Sequence, residues 1–207
     1  MCIRDRIYTG RHEYLEILHE LHKDNLERGY LYNVENDNKI LSNTFLNIVN
    51  VGLITHQFDW VQDFLTTHRN RILGDNETVD FYKLNRAAYL FATGQFESAL
   101  ETLPQSFPNI IYHLITRRLE IKIYYELQSD LLEFKLDAFK MYISRASRKF
   151  LSKELRERNA DFANLLTQII QSKPGDPNRK PRLLKRIGER VRAAERDWLM
   201  EKVNKMG

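Results

Sequence analysis

Hydrophobic residues along this chain recur at steps of three and four, the spacing that places them on one face of an α-helix. The first such stretch, residues 11–28, has Leu15, Leu18 and Leu21 on one face and ends before Gly29. The chain is predicted to be all-α. Helices are predicted at residues 11–28, 40–55, 59–69, 85–93, 96–103, 110–127, 130–149, 152–171 and 182–207.

Two of the predicted helical segments carry a repeated sequence. HQFDWVQDFL at residues 56–65 aligns with GQFESALETL at residues 94–103, so that Phe58 matches Phe96, 38 residues later. A single pair of helices cannot bury its own hydrophobic face, and repeated pairs therefore stack on one another. The repeat predicts two equivalent helical hairpins.

A fainter third copy follows the second. Leu131, Phe134 and Ala138 occupy the positions of Phe96 and its packing partners, and Ser129 stands at the turn. The third copy begins 35 residues after the second, which is close to the first spacing of 38. We therefore expect about three stacked hairpins.

The second copy has Gly94, Phe96 and Ala99 in the pattern G-x-F-x-x-A. This pattern resembles the turn of tetratricopeptide repeats, in which a glycine closes the turn and an alanine lets two helices approach closely. The resemblance covers residues 40–150. It implies a right-handed stack of hairpins, an α-solenoid, followed by C-terminal helices, and it implies a scaffold that binds other proteins without catalysis.

The other two copies depart from the pattern. At the places of the glycine and the alanine, the first copy has His56 and Val61, and the third has Ser129 and Phe134. Residues 117–152 are also similar to the C-terminal part of a group of bacterial helical-repeat proteins. That similarity supports a helical-repeat fold and leaves the function open.

The first six residues, MCIRDR, resemble translated sequencing-adaptor read-through. We expect residues 1–6 to be an artefact on a fragment whose native N-terminus is missing. They contain the only cysteine, Cys2, so the sequence predicts no disulfide framework. No hydrophobic run approaches the length of a transmembrane helix, and we expect a cytoplasmic location.

Charge is distributed unevenly along the chain. Residues 1–139 have 14 Lys and Arg against 20 Asp and Glu, whereas residues 140–207 have 18 against 8, for a net charge of +4. An acidic partner is therefore expected at the C-terminal third. The composition indicates a repeat domain at residues 7–171, a proline-rich linker at 172–181 and a basic amphipathic helix at 182–207.

Four asparagines are candidates for partner binding. Asn43, Asn47 and Asn50 are spaced to share one helix face, and the tetratricopeptide resemblance implies that they and Asn85 lie on the concave ligand surface. Side-chain amides both donate and accept hydrogen bonds, which suits an extended peptide or partner segment. They could equally be solvated polar residues or amides bonded between helices. Hydrophobic residues occupy other positions of the same surface in the second copy: Leu84, Ala88 and Phe91.

The basic C-terminal helix is the second candidate site. Its cations lie opposite a hydrophobic stripe from Leu184 to Trp198, so the stripe would dock while the cations meet nucleic acid or another anionic surface. The alternative is a solvated face on a capping helix, diluted by acidic residues. A third possibility is a helical tail on a longer protein whose activity lies upstream. The candidate cations are Arg182, Lys185, Arg186, Arg192 and Arg196.

The sequence offers little for catalysis or metal binding. His19-Glu20-Leu21-His22 is one residue shorter than the HExxH motif, which needs its histidines four apart. No nucleophile motif, phosphate-binding glycine loop or cysteine pair is present. We therefore expect a non-catalytic protein without a metal or cofactor.

Overall fold

The computed structural model describes residues 13–73, 78–147, 149–173 and 175–206, and residues 1–6, predicted to be an artefact, lie outside them. The described residues confirm the all-α class. Their helices are α1 Glu13–Glu27, α2 Ser42–Ile54, α3 Phe58–Thr67, α4 Thr78–Ala92, α5 Phe96–Thr102, α6 Ile110–Glu126, α7 Leu132–Arg145, α8 Lys153–Ile170, α9 Arg179–Glu189 and α10 Arg196–Asn204, with a short 3-10 helix at Val34–Asn36.

The chain divides into two compact units, Met1–Gln128 and Ser129–Gly207. In the first unit, α2 packs against α1, α3 and α4, while α5 packs against α4 and α6. In the second unit, α7, α9 and α10 all pack against α8. The division therefore falls within residues 7–171, predicted as one repeat domain. The predicted linker, 172–181, overlaps α9, because this helix already begins at Arg179.

A short parallel strand pair, which the helical periodicity did not predict, lies in the first unit. The strands β1, Ile40–Leu41, and β2, Ile72–Leu73, pair with Ile40 opposite Ile72. The Ile40 amide donates to the carbonyl of Arg71 at 2.7 Å. Both paired isoleucines are buried. One strand precedes the first hairpin and the other follows it. Parallel strands require a long crossover connection, and here α2 and α3 provide it.

The turns of the first two hairpins have the same backbone geometry. Gly94 has a φ of 77° and His56 has a φ of 58°, both in the left-handed region. The hydroxyls of Thr55 and Thr93 donate to carbonyls four residues earlier, at 2.9 and 3.0 Å. In each turn the backbone amide of the following glutamine, Gln57 or Gln95, donates at 2.8 Å to a carbonyl five residues earlier, at the end of the first helix. His56 thus adopts the conformation that glycine favours.

A glycine in α2 explains why the first copy has valine where the second has alanine. A Cβ added to Gly52 would lie 2.4 Å from Cγ2 of Val61, on α3. In the second copy, Leu90 and Ala99 align with these two positions, and both are buried. The small residue is therefore on the first helix of one hairpin and on the second helix of the other, and each arrangement permits close helix packing.

The register of the predicted third copy is wrong by one residue. The left-handed turn position is Gln128, with a φ of 52°, and not Ser129. As a result, Leu131 and Phe134, expected to pack, are exposed. The helix α7 forms its hairpin with α8, whereas the prediction paired it with α6, which belongs to the first unit. The buried residues of α7 are Leu132, Leu136, Phe139 and Ile143.

Residues 182–207 were predicted to form one helix, and this prediction is wrong. The chain instead forms α9 and α10, separated by residues 190–195, with Glu195 in the left-handed region at a φ of 54°. Leu183 and Ile187 are the buried residues of α9. Val191, which the predicted stripe placed on the buried face, is exposed because the helix has already ended.

Candidate functional site

Three of the four predicted partner-binding asparagines form one exposed row. Asn43, Asn47 and Asn50 are exposed on α2, and we call them the asparagine face. The opposite side of α2 carries Phe45, Ile48 and Val49, which are completely buried. Hydrophobic burial therefore fixes the direction in which the asparagines point.

The amides of the asparagine face differ in their hydrogen bonds. Asn43 Oδ1 accepts from the backbone amide of Thr44 at 2.7 Å. Asn47 and Asn50 make no hydrogen bond within the described parts of the chain. Ile54, one turn further along the same face, is 47% exposed. The face thus offers two available amides beside an exposed hydrophobic side chain.

Asn85 is not on an accessible surface, which corrects the prediction for this residue. Its side chain is 0% exposed, and its Nδ2 donates to the carbonyl of Phe81 at 2.8 Å. Its Oδ1 is buried and has no hydrogen-bond partner. The ring of Tyr112, on α6, packs edge-on against Phe81 with 4.5 Å between centroids. The face of α4 that corresponds to the asparagine face is therefore covered by α6.

The second unit is strongly basic. Residues 129–207 carry 19 Lys and Arg against 11 Asp and Glu, a balance of +8. Of the predicted cations, Arg182, Lys185 and Arg186 lie exposed on α9. Lys185 has no hydrogen bond or ion pair among the described residues.

Exposed arginines of α9 and the following loop form a group beside α8, and we call Arg182, Arg186, Arg190 and Arg192 the arginine row. Arg182 pairs with Asp176, before α9, at 3.1 Å. The other three members of the row reach side chains spaced seven residues apart on α8. At 1.5 Å per residue, these three acceptors cover about 21 Å of the helix. The pairs are Arg186 with Gln168, Arg190 with Asp161 at 3.7 Å, and Arg192 with Glu154 at 3.5 Å.

The prediction for this surface was partly wrong because it assumed one continuous helix. Arg196 belongs to α10, and its Nε is buried without a partner. Arg190, which the prediction omitted, caps the C-terminus of α9 and has a 62% exposed side chain. Gly188, near the end of α9, was a possible sign that the helix stops there.

A polar cleft lies beside the arginine row. It has a volume of about 330 Å³ and is open to solvent. The exposed Asn164 provides an amide, and Arg190 stands at its edge. The lining residues are Asp161, Asn164, Leu165, Thr167, Gln168 and Arg190.

Two histidines of α1, the buried His19 and the half-buried His22, each have a buried ring nitrogen without a hydrogen-bond partner. His19 is 3% exposed, and its ring packs edge-on against Trp60 with 4.6 Å between centroids. His19 Nδ1 and His22 Nε2 are buried without hydrogen-bond partners. Burial lowers the pKa of both histidines, because the charged form is disfavoured away from water. Burial therefore favours the neutral form of both histidines.

His68 forms a second buried histidine site in the same unit. Its Nδ1 lies 3.0 Å from the carbonyl of Phe64, and its Nε2 lies 2.8 Å from the hydroxyl of Tyr32. The Nδ1 donates to the carbonyl, so Nε2 accepts the tyrosine proton. Burial lowers the pKa of His68. Across the described residues, no three His, Cys, Asp or Glu side chains are grouped to hold a metal ion.

Comparison with family models, curated proteins and solved structures found no match to this chain. No helix in the described ranges is long and hydrophobic enough to cross a membrane.

Proposed function

We propose that the first unit is a protein-interaction scaffold that binds a short peptide or partner segment at the asparagine face. The observation that carries this proposal is the exposure of Asn47 and Asn50, whose amides make no hydrogen bond within the described residues. A non-catalytic role agrees with a face that offers amides and one hydrophobic side chain.

We also infer that the two hairpins of this unit stack as in a right-handed α-solenoid of the tetratricopeptide type. Support comes from the equivalent turns at His56 and Gly94, and from α2 packing on α4 as well as on α3. In such a stack the first helices of successive hairpins line one surface. The asparagine face would be the open part of that surface, since Asn85 is covered.

The size of the asparagine face limits the ligand. From Asn43 to Asn50 the helix rises by about 10 Å, which equals three residues of an extended chain at roughly 3.3 Å each. Amides can donate to peptide carbonyls and accept from peptide amides. Ile54 would contact a hydrophobic side chain next to this segment. We therefore propose a ligand of three or four extended residues with a hydrophobic end.

The test is selection of binding peptides from a displayed library, followed by fluorescence anisotropy with the double variant Asn47→Ala and Asn50→Ala. Two lost hydrogen bonds, at about 1 kcal/mol each, should weaken binding at least tenfold. Alanine favours helix more than asparagine does, so weaker binding would not result from unfolding. The matched control is Asn70→Ala with Gln105→Ala, which removes two exposed amides elsewhere in the unit.

Equal affinity of the selected peptides for the parent and the Asn47/Asn50 variant would exclude the asparagine face as their site. An equal loss in the control variant would show that the amides act nonspecifically. Retained binding in the control with a tenfold loss in the test variant is the expected result.

A further inference from the structure

The arginine row is a group of four arginines in the second unit, and all four are exposed. The side chains of Arg182, Arg190 and Arg192 are 49%, 62% and 79% exposed. Arg186, Arg190 and Arg192 contact successive positions along α8 rather than clustering at one point, and Lys185 lies beside the row on α9. A linear array of cations fits a linear array of anions.

The acceptors that the row contacts would compete only weakly with phosphate. The Arg190–Asp161 and Arg192–Glu154 pairs have separations of 3.7 and 3.5 Å. These distances are longer than the roughly 2.8 Å of a direct charge-assisted hydrogen bond. Exposed ion pairs of this kind contribute about 0–1 kcal/mol. The guanidinium groups of Arg190 and Arg192 are therefore available for bidentate contacts with phosphate oxygens. Arg182 and Arg186 would exchange their contacts with Asp176, at 3.1 Å, and with Gln168 for phosphate.

We propose that the second unit binds the phosphate backbone of a nucleic acid along the arginine row. The row covers about 21 Å, which corresponds to about six phosphates of one strand at 3.4 Å each. The open polar cleft beside Arg190 is lined by the exposed Asn164, whose amide can pair with a base edge. This proposal concerns the second unit and is independent of the peptide site.

The exposed chemistry favours nucleic acid over a lipid surface. A helix that binds a membrane interface must present a hydrophobic face to the lipid. Leu183 and Ile187, the hydrophobic residues on the inner side of α9, are buried at 2% and 0% exposure. The outer side presents Arg182, Lys185 and Arg186, which are charged. The outer side of α9 therefore lacks the hydrophobic face that insertion would require, and the exposed Val191 in the following loop is a single hydrophobic side chain between Arg190 and Arg192.

The test measures anisotropy of a fluorescein-labelled 20-nucleotide poly(U) with the full chain between 50 and 300 mM NaCl. Four contacts should give a slope near −3 in a plot of log K against log salt, at about −0.7 per phosphate. The triple variant Arg186→Gln, Arg190→Gln and Arg192→Gln should reduce the slope by about 2 and lower affinity at least tenfold. A duplex of equal length, run in parallel, shows which form of the backbone is preferred.

The matched control is Lys140→Gln, Lys149→Gln and Lys205→Gln, which removes the same charge from the same unit outside the row. It should leave the slope unchanged. A second variant, Glu154→Gln with Asp161→Asn, removes the acceptors that compete with phosphate. It should tighten binding several-fold, an effect that unfolding would not produce.

Three results would overturn the proposal. One is an equal loss of slope in the control variant, which would mean that only net charge matters. Another is the absence of poly(U) and duplex binding at 50 mM NaCl. The third is binding to phosphatidylserine vesicles without binding to either nucleic acid, which would assign the surface to membranes.

Discussion

Replacement of Gly52 by alanine tests how the first hairpin packs. The added Cβ would lie 2.4 Å from Cγ2 of Val61, whereas carbon atoms in contact prefer about 3.5–4.0 Å. Valine in a helix has one strongly preferred side-chain rotamer, so Val61 cannot rotate its methyl group away at low cost. Helix α2 and helix α3 must therefore separate, whereas Trp60, 3.7 Å from the added Cβ, remains in ordinary contact.

Two opposing effects set the magnitude. Overpacking in a core costs about 1–3 kcal/mol, and replacing glycine by alanine inside a helix gains about 1 kcal/mol. Gly52→Ala should therefore lower the free energy of unfolding by up to about 2 kcal/mol. When Val61 is first changed to alanine, the clash is absent and only the helix gain of about 1 kcal/mol remains. The same substitution should change sign between the two backgrounds.

The assay is urea unfolding followed by tryptophan fluorescence in a Trp198→Phe background. Trp60 lies beside Gly52 and then reports on the first unit alone. Gly52→Ala, Val61→Ala and the double variant complete a double-mutant cycle, in which the helix gain cancels. We expect a coupling energy of about 1–3 kcal/mol. An effect of Gly52→Ala that is equal in both backgrounds, within about 0.5 kcal/mol, would refute the packing argument.

Two further predictions concern the same unit. Burial lowers the folded-state pKa of His19 and His22, so that the unfolded chain takes up protons at a higher pH than the folded chain does. The urea midpoint, measured by Trp60 fluorescence, should therefore fall as the pH drops below about 6.5. His19→Gln with His22→Gln should make this fall shallower, and an unchanged pH dependence would contradict the assignment. His56→Gly should raise the free energy of unfolding by about 1 kcal/mol, and Gly94→Ala should lower it by about the same amount. Stability changes of the same sign in thermal unfolding would contradict the equivalence of the two turns.

The helices could be predicted because helical periodicity is a local property of the sequence. The same periodicity could not choose between neighbouring hydrophobic residues in α7. Leu131 and Leu132 are adjacent, so either register satisfies the pattern, and the turn at Gln128 selects the one that buries Leu132. The strand pair of Ile40 and Ile72 depends on contact between distant residues, which periodicity does not report.

The candidate sites were predicted less well, because exposure depends on neighbouring elements. Asn47 and Asn85 are equivalent in the sequence repeat, yet only Asn85 is buried. The break after α9 is likewise set by tertiary contacts. The Ala194 amide donates to the carbonyl of Arg158 at 3.0 Å, and Arg158 Nε donates to the carbonyl of Arg192 at 3.1 Å. These bonds join the loop to α8, where the hydrophobic spacing alone predicted a continuous helix.

The exchange of small and large residues between the two hairpins limits how this chain can be recombined. Transfer of α4 onto α3 would place Leu90 against Val61, and transfer of α2 onto α5 would place Gly52 against Ala99. The first chimera would be overfilled and the second would contain a void, although every transferred residue is native to one hairpin. A complete hairpin is therefore the smallest part that can be duplicated or grafted without repacking.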